Sequence, residues 1–346
     1  MKKIMVVIAT YGEVEDPTLK NLLPNSRRII EIVTSQVADL SKLMRTFIAY
    51  FRSFKRNWTW TRAGYHSRLV KINEAQTALI ATQLGSLKES LGEEFTLEVK
   101  DAYFFVPPYF EDVIANHPSY DAVVVVSMFP IESAFSCGVA CKTVRDTWGE
   151  KAFEKIHVIG SLWDDAELMR IYTDHVFKTM AQFGETGSGE KKGLVLAVHG
   201  TLVRDSNGNP SKVQTGFDAT MAFYEKVKAA ILADPRSDFA DIKLGCLNHR
   251  YGGTWTPDTL EKAFDDFKQS GIDSVSLFPF GFFADNSEVD FEAKRKLEGA
   301  GFKKNQYIEC MNASPEFAGW VAKKIYGKLF KIIGMENAIR KVGAQA

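Results

Sequence analysis

The chain has 346 residues, more than a single core usually holds, so two packed units are expected. Its composition, with 45% hydrophobic and 25% charged residues, is ordinary for a globular protein and indicates neither disorder nor a fibrous repeat. The 43 basic and 43 acidic residues cancel, whereas a dedicated nucleic-acid-binding protein usually carries a basic excess, so no nucleic-acid partner is expected.

The start of the chain and its cysteines favour a soluble cytoplasmic protein. Met1-Lys-Lys runs directly into a short apolar segment that predicts a strand, without the cleavage site of a signal peptide. Apolar runs such as residues 122–126 are far too short to span a bilayer. A lone C-x3-C pair is a weak zinc signature, so free thiols in a reducing cytosol are expected for all the cysteines: Cys137, Cys141, Cys246 and Cys310.

Apolar, β-branched runs alternate with helical patterns in the first part of the chain. Strands are predicted at residues 4–9, 96–102, 121–127 and 156–161. Helices are predicted at residues 25–50, 71–91 and 108–116. Continuous apolar strands are typical of a parallel sheet covered on both faces, and the alternation predicts a doubly wound α/β fold.

A polar, glycine-rich stretch at 184–192 predicts a linker, after which the pattern restarts. Residues 192–200 resemble residues 3–12, and residues 273–279 resemble residues 121–130. We interpret the chain as two similar α/β halves, which comprise residues 1–183 and 193–346. Ligands of open α/β sheets bind beyond the carboxyl ends of the strands, so a cleft between the halves is the expected site.

His199 is the strongest single candidate for chemistry, because it ends a predicted strand and directly precedes Gly200. A histidine can accept a proton near neutral pH or ligate a metal ion. A structural histidine, whose ring bonds a backbone carbonyl, is an alternative of equal weight.

Three acidic residues form the second candidate feature. Asp285, Glu288 and Glu292 are spaced three and four residues apart, so on a helix they would share one face. A line of acids on a buried helix can conduct cations or protons. Asp285 with Glu288 equally matches a capping box at a helix N-terminus, and on spacing alone that structural interpretation is the stronger one.

Two further segments suit a flat ligand that carries negative charge. Arg250 lies in a loop at 248–257 and could hold an anionic group, although a solvated loop arginine explains it equally well. Residues 43–68 interleave aromatic and basic side chains, a pattern that suits a large apolar ligand with carboxylates, a membrane interface or a single-stranded nucleic acid. A helix packed on its own domain would explain part of the same stripe.

Taken together, these stretches resemble the ferrochelatase family over most of the chain and in the right order. Residues 197–201 resemble the family's histidine-containing strand end, and residues 248–255 its Gln-Ser-Arg/Lys-x-Gly loop with a downstream Trp. Residues 284–292 resemble the segment Ser-Asp-His-x-Glu-Thr-Leu-x-Glu, and residues 310–317 the segment Cys-Leu-Asn-Asp-x-Pro-x-Phe. Looser matches occur in the first half, at Tyr11-Gly12, Phe129-Pro130 and residues 103–112.

The resemblance implies two Rossmann-like halves that enclose a porphyrin, and an enzyme that inserts Fe²⁺ into protoporphyrin IX. It implies that His199 and Glu288 are the catalytic and metal-site residues. Asp285 and Glu292 would be further members of an acidic line on a helix with a π-type widening. Residues 43–68 would form the lip of the pocket.

Expectations about ligands and partners follow from the same resemblance. Tyr11 and Arg250 are expected to bind the porphyrin, and residues 43–60 are expected to make any peripheral membrane contact. Fe²⁺ is expected as a substrate, with no permanently bound cofactor. No nucleotide-binding glycine motif is present, and no cysteine follows Cys310 to ligate a C-terminal iron–sulfur cluster. A monomer and a homodimer are both compatible with the sequence.

Departures from the family pattern predict a divergent member. Asn286 stands where the family usually has histidine, and residues 131–135 replace its usual Gln-Tyr-Ser stretch. The alternatives are therefore a coproporphyrin ferrochelatase, a non-catalytic porphyrin- or haem-binding protein, and a chelatase for another metal. The aromatic stretch at 43–68 favours protoporphyrin, because the additional carboxylates of coproporphyrin suit a more open and polar pocket.

Overall fold

A computed structural model describes residues 2–37, 41–88, 95–182, 191–205, 207–249 and 253–343. Most of the predicted linker at 184–192 lies outside the described residues, and so does Arg250. Among the described residues, none of the helices combines the length and the apolar character needed to cross a membrane. All four cysteines are free thiols, as expected, and Cys141 is the one that is only half-buried.

The first half is a parallel four-stranded sheet with helices packed on it, which confirms the predicted α/β class. Its strands are β1 Lys2–Thr10, β2 Phe95–Tyr103, β3 Ala122–Ser127 and β4 Ile156–Ile159, in the spatial order β2-β1-β3-β4. The central strands β1 and β3 are apolar and almost completely buried along their length. Such strands need covering on both faces, which explains why they were predictable as uninterrupted apolar runs.

Six α-helices lie in the part of the first half that the structure describes. They are α1 Leu19–Val37, α2 Lys42–Ala63, α3 Leu69–Lys88, α4 Phe110–Ile114, α5 Cys137–Trp148 and α6 Ala166–Gln182. The single helix predicted at 25–50 is wrong, because α1 ends at Val37 and a separate helix begins after Ser41. The Ser41 hydroxyl caps α2 by accepting a hydrogen bond from the Met44 backbone nitrogen at 3.3 Å. Gly64, in a left-handed conformation, ends α2.

The second half repeats this architecture. Its strands are β5 Lys192–His199, β6 Leu202–Asp205, β7 Phe239–Leu247, β8 Gly253–Trp255, β9 Ser274–Phe278 and β10 Lys304–Tyr307. Four of them form a parallel sheet in the order β10-β9-β5-β7, and β6 pairs with β8 in a separate antiparallel ribbon. The helices are α7 Phe217–Ala233, α8 Leu260–Gln269, a π-helix Ser287–Ala293 that continues into α9 Lys294–Gly299, and α10 Pro315–Gly343.

The two halves pack against each other through one shared hydrophobic cluster, which includes Val124 of β3 and Leu196 of β5. The last helix, α10, crosses back and packs on α3 and α6 of the first half. There the Asp165 carboxylate accepts a hydrogen bond from the Trp320 indole at 3.0 Å and pairs with Lys324. This packing fixes the relative positions of the two sheets.

Candidate active site

Two histidines and a glutamate meet at the carboxyl edge of the second sheet. His199 is the last residue of β5, and His249 follows the end of the adjacent strand β7, whose Leu247 pairs with His199. Glu288 lies in the first turn of the π-helix, which follows β9 on the other side of β5. Because parallel strands end at one edge of a sheet, three distant segments place their side chains together there.

The polar atoms of these three side chains are within coordinating range of one point. The two imidazole Nε2 atoms of His199 and His249 are 3.3 Å apart, and His199 Nε2 is 3.9 Å from Glu288 Oε1. One ligand atom from each residue lies within 4.8 Å of the other two. Among the described residues this is the one group of three His, Cys, Asp or Glu side chains that is arranged to hold a metal ion.

The backbone fixes the tautomer of His199. Its Nδ1 lies 2.7 Å from the carbonyl oxygen of Gly200, which can only accept a hydrogen bond. The proton is therefore assigned to Nδ1, and the lone pair of Nε2 faces His249 and Glu288. Metal-ligating histidines commonly donate their other ring N–H to a carbonyl in this way. The bond to a backbone carbonyl, which the sequence offered as a structural alternative, thus orients the ring for chemistry.

Electrostatics keeps His249 and Glu288 in the forms that bind a cation. Burial, together with the charge of neighbouring His199, lowers the pKa of His249 to about 4, so this ring is neutral near pH 7. Burial alone would raise the pKa of Glu288, but the attraction of His199, His249 and Arg56 outweighs burial and holds that pKa below its ordinary value. A neutral imidazole and an ionised carboxylate are the ligand forms of these side chains.

The π-helix that carries Glu288 is anchored to the first half of the chain. Asn286 caps it, with its side-chain oxygen accepting a hydrogen bond from the Glu288 backbone nitrogen at 2.9 Å. The hydroxyl of buried Ser287 donates to the Glu13 carboxylate at 2.5 Å. The π-winding agrees with the widening that the family resemblance implied. The interpretation of Asp285 with Glu288 as a capping box is wrong, because Asn286 is the cap.

Asp285 lies before this helix and is completely buried. Its carboxylate accepts hydrogen bonds from the Tyr307 hydroxyl at 2.8 Å, the Cys310 backbone nitrogen at 3.0 Å and the Asn312 side chain at 2.9 Å. The prediction that Asp285 shares a helical face with Glu288 is wrong, since Asp285 ties together the loops after β9 and β10. Its part in an acidic relay stays a prediction.

Glu292 lies one turn beyond Glu288 on the π-helix and is exposed to solvent. Partial desolvation by the protein and repulsion from Glu288 raise the pKa of Glu292. These two carboxylates are therefore close enough to influence each other, as the spacing predicted. The opposite directions of their pKa values suit a step in which one group stays ionised and the other exchanges a proton.

Tyr11 lies at the carboxyl end of the first sheet, directly after β1. It stacks on Phe105 at 4.9 Å between ring centroids, and contacts Phe129 at 4.3 Å. Its hydroxyl donates a hydrogen bond to the Phe135 carbonyl. Burial and the negative charge of Glu288 both raise the pKa of Tyr11, so the phenol stays protonated within electrostatic reach of the metal-binding edge. Tyr11, Phe105 and Phe129 together form the aromatic wall of the first half, in which Phe105 is buried and Phe129 is tilted by 49° to Tyr11.

Helix α2, within the predicted lip, has two contrasting sides. Its exposed apolar side chains are Leu43, Met44, Phe47, Tyr50, Phe51, Phe54 and Trp58. Arg52 and Arg56 on the same helix are half-buried, and their charges act on His249 and Glu288. Arg56 also donates a hydrogen bond to the Ser287 hydroxyl at 3.2 Å. The lip therefore brings positive charge to the site and apolar surface to the outside.

Sequence reasoning missed His249 and Glu13. His249 was visible one position before Arg250, and the expectation that adjacent parallel strands end at one edge could have paired it with His199. Glu13 gave no such signal, because its contact with Ser287 joins residues from different halves of the chain. Arg250 lies outside the described residues, so its predicted contact with a porphyrin stays a prediction.

Two packed α/β halves, with imidazoles and a carboxylate at the carboxyl edge of one sheet and aromatic rings at the carboxyl end of the other, suit an enzyme that brings a metal ion to an aromatic ligand. The sequence model of the ferrochelatase family matches residues 6–329. The chain belongs to the ferrochelatase family, and it is an enzyme that inserts ferrous iron into a porphyrin.

Curated relatives include several bacterial ferrochelatases at low identity. The chain is 20% identical to the ferrochelatase of Synechocystis sp. over 95% of its own length and 83% of the relative's. It is 23% identical to the ferrochelatase of Campylobacter concisus over 82% of its own length and 86% of the relative's. It is also 23% identical to the ferrochelatase of Neisseria gonorrhoeae, over 90% of each chain. These low identities agree with the expectation of a divergent member.

Proposed function

We propose that the enzyme inserts Fe²⁺ into protoporphyrin IX, with His199 as proton acceptor and metal-site residue and Glu288 as its carboxylate partner. The observation that carries this assignment is the pair formed by His199 Nε2 and Glu288 Oε1 at 3.9 Å, with the histidine lone pair facing the carboxylate. The pair lies at the carboxyl edge of the sheet, within electrostatic reach of Tyr11 on the aromatic wall.

Each residue has a distinct task in this reaction. Metallation replaces both pyrrole N–H protons by one dication, so the site needs proton acceptors and negative charge. His199 Nε2 has a free lone pair for one proton, and ionised Glu288 attracts the incoming Fe²⁺. The second proton passes by way of Glu288 to Glu292, whose raised pKa and exposure suit release to solvent. Iron remains Fe²⁺ throughout.

The lip supports protoporphyrin IX as the ring. Phe47 and Trp58 are 67% and 62% exposed, and apolar side chains beside them extend the surface along α2. Such a surface suits the vinyl and methyl edges of protoporphyrin better than additional carboxylates. Coproporphyrin III is the second candidate, because Arg52 and Arg56 lie within electrostatic reach of the same site and favour an anionic ring.

The decisive experiment mixes the purified protein with Fe²⁺ and either porphyrin without oxygen, and follows the absorption spectrum. Free-base bands should convert to metalloporphyrin bands, faster with protoporphyrin IX than with coproporphyrin III, and His199→Ala should abolish conversion. Faster conversion of coproporphyrin III would overturn the choice of ring. Bands that shift on binding and never convert, with Fe²⁺, Zn²⁺, Co²⁺ and Ni²⁺ alike, would indicate a binding protein.

The exposed side of α2 also supports the peripheral membrane contact at residues 43–60. We expect the protein to sediment with anionic lipid vesicles and Phe47→Ser/Phe51→Ser to lose that binding. Equal sedimentation of both proteins would contradict the assignment. Analytical ultracentrifugation of the same samples without lipid decides between monomer and homodimer.

A further inference from the structure

We propose that His249 is a third ligand of the Fe²⁺ substrate, so that the metal is held by two imidazoles and one carboxylate before it enters the porphyrin. This inference rests on the proposed function of His199 and Glu288. It concerns a residue that stands where the family resemblance places serine, in the loop at 248–255. The family's own second histidine is absent, because Asn286 occupies its position.

The side chain of Asn286 is committed to another task. Its oxygen accepts a hydrogen bond from the Glu288 backbone nitrogen at 2.9 Å, and so caps the π-helix. His249, which follows the neighbouring strand β7, supplies an imidazole on the other side of His199 in place of the one missing at position 286. The chain therefore has two histidines at this edge of the sheet, from β5 and β7, in place of one from β5 and one from the helix.

The distances fit coordination of one ion. Imidazole nitrogens bound to zinc at about 2.0–2.1 Å in a tetrahedral site lie about 3.3 Å from each other. The Nε2 atoms of His199 and His249 have this separation, 3.3 Å, and their rings are inclined at 69°. The Glu288 oxygen, 3.9 Å from His199 Nε2, needs only a small rotamer adjustment to complete the set.

The surroundings of His249 hold the ring in this position. The neighbouring Asn248 side chain donates a hydrogen bond to the Thr256 carbonyl at 2.7 Å, which ties the residue before His249 to the end of β8. The Trp255 ring packs nearly perpendicular to His249 at 5.1 Å and also contacts His199 at 6.0 Å. One indole therefore supports both imidazoles, as expected for ligands whose orientation matters.

Two imidazoles and one carboxylate on one side of an ion leave its other positions open, as in non-haem Fe²⁺ sites. Open positions are what a donor of Fe²⁺ needs, because pyrrole nitrogens must bind before the protein ligands leave. The bonds from iron to His199, His249 and Glu288 break as the two unprotonated pyrrole nitrogens bind the ion. The two pyrrole N–H protons then pass to the freed Nε2 of His199 and, by way of Glu288, to Glu292, and the remaining two iron–nitrogen bonds form. The oxidation state of iron does not change in this exchange.

Metal binding in the absence of porphyrin tests this assignment directly. Co²⁺ serves as the probe, because its visible absorption reports nitrogen ligands and coordination number. The full-length protein is compared with His249→Ser and with His249→Gln, which keeps most of the side-chain volume. His66→Ser is the matched control, since His66 also faces a carboxylate, Asp16 at 3.1 Å, but at the surface.

We expect both His249 variants to raise the Kd for Co²⁺ and the KM for Fe²⁺ by about tenfold or more, since even outer-shell changes at metal sites have effects of this size. The KM for porphyrin should stay unchanged, and His66→Ser should behave as the unmodified protein. If His249→Ser does not fold by circular dichroism, the glutamine variant decides the question.

An unchanged Kd for Co²⁺ with a lower kcat would overturn the proposal, because His249 would then only position His199 through a hydrogen bond. Failure of this ligand assignment and failure of the proposed function give different results. A protein that binds Co²⁺ through His249 and never metallates a porphyrin would keep the ligand assignment and remove the ferrochelatase mechanism proposed for His199 and Glu288.

Discussion

The two halves of the molecule place different chemistry at equivalent positions. Strands β1 and β5 are the corresponding central strands, and Tyr11 and His199 each directly precede a glycine where these strands end. Phe105 and His249 each lie two residues beyond the neighbouring strands β2 and β7. Tyr11 stacks on Phe105 at 4.9 Å, as His199 contacts His249 at 5.1 Å.

The same framework therefore carries a pair of benzene rings in one half and a pair of imidazoles in the other. The rings differ in polarity and in arrangement, because Tyr11 and Phe105 are stacked at an interplanar angle of 13° and the two imidazoles are inclined at 69°. Under the proposed function, this comparison predicts ring contacts from Tyr11 in the first half and metal contacts from His199, His249 and Glu288 in the second half. Variants in the first half should therefore leave metal binding intact, and variants in the second half should leave porphyrin binding intact.

The largest effect is expected from Glu288→Gln, which keeps the shape of the side chain and removes its charge. The rate of metallation should fall on the order of 100-fold, because an acid–base group typically contributes this much. Porphyrin binding, followed by fluorescence quenching, should change little, since the aromatic wall belongs to the other half. Glu298→Gln on the exposed surface of α9 is the control. A near-normal rate would assign Glu288 a purely structural role.

The next largest effects are expected from a matched pair of glycine variants, which tests whether metal binding and porphyrin binding depend on different halves. A Cβ on Gly200 would overlap the Asn248 side chain beside His249, and a Cβ on Gly12 would overlap Val106 and Tyr103. We expect Gly200→Ala to raise the KM for Fe²⁺ and Gly12→Ala to raise the KM for porphyrin, each about tenfold. Gly12 also has φ +74, so its alanine variant should lose about 1–2 kcal/mol of stability. Equal effects on both KM values would contradict the division.

Asp165→Asn tests how firmly the halves are joined. Burial alone would raise the pKa of Asp165. Hydrogen bonds from Lys324, the Leu168 backbone and Trp320, together with the positive charge of Lys324, outweigh burial and hold this pKa below its ordinary value. A depressed carboxyl pKa stabilises the folded state above the unfolded-state pKa of about 3.9, and this contribution is lost as the pH falls through the folded-state value.

We therefore expect the variant to cost about 1 kcal/mol at pH 7 and progressively less at acidic pH, because protonation of Asp165 makes the parent uncharged at this position, as the variant already is. Thermal unfolding at pH 7 and pH 3 measures both values. Asp146→Asn, which removes an exposed partner of Lys142, is the control and should change nothing. A variant as stable as the parent at pH 7 would show that this contact does not hold α10 to the first half.

Tyr11→Phe is expected to have the smallest effect. It keeps the ring stacked on Phe105 and removes only the hydrogen bond to the Phe135 carbonyl. The net value of such a bond, about 0.5–1.5 kcal/mol, predicts a two- to tenfold rise in the KM for porphyrin. The Kd for Co²⁺ should be unchanged. A change in metal affinity instead would extend the metal site into the first half.

The sequence predicted the strands of the first half well, because β1 and β3 are uninterrupted apolar runs and buried parallel strands have that signature. It missed the break between α1 and α2, because helical spacing continues across it without proline or glycine. Only the capping hydroxyl of Ser41 marks the new start.

Within the site, His199 and Glu288 were predictable from position and family pattern, whereas their geometry was not. The π-winding shifts the register after Asn286, and no spacing rule based on an α-helix anticipates it. The role of Asp285 was likewise hidden, because its partners at Tyr307, Cys310 and Asn312 are defined by tertiary contacts.

Helix α10 has a consequence for how the molecule is made. It covers α3 and α6 of the first half, yet it begins only at Pro315, so a ribosome has synthesised nearly the whole chain before this cover exists. Until α10 is made, the apolar surface of the first half that it covers stays exposed to solvent. This surface includes the residues that contact Phe317 and Trp320 in the shared cluster. Chains that terminate before α10 should therefore be bound by chaperones or degraded, even though every residue of the metal-binding edge has already been translated.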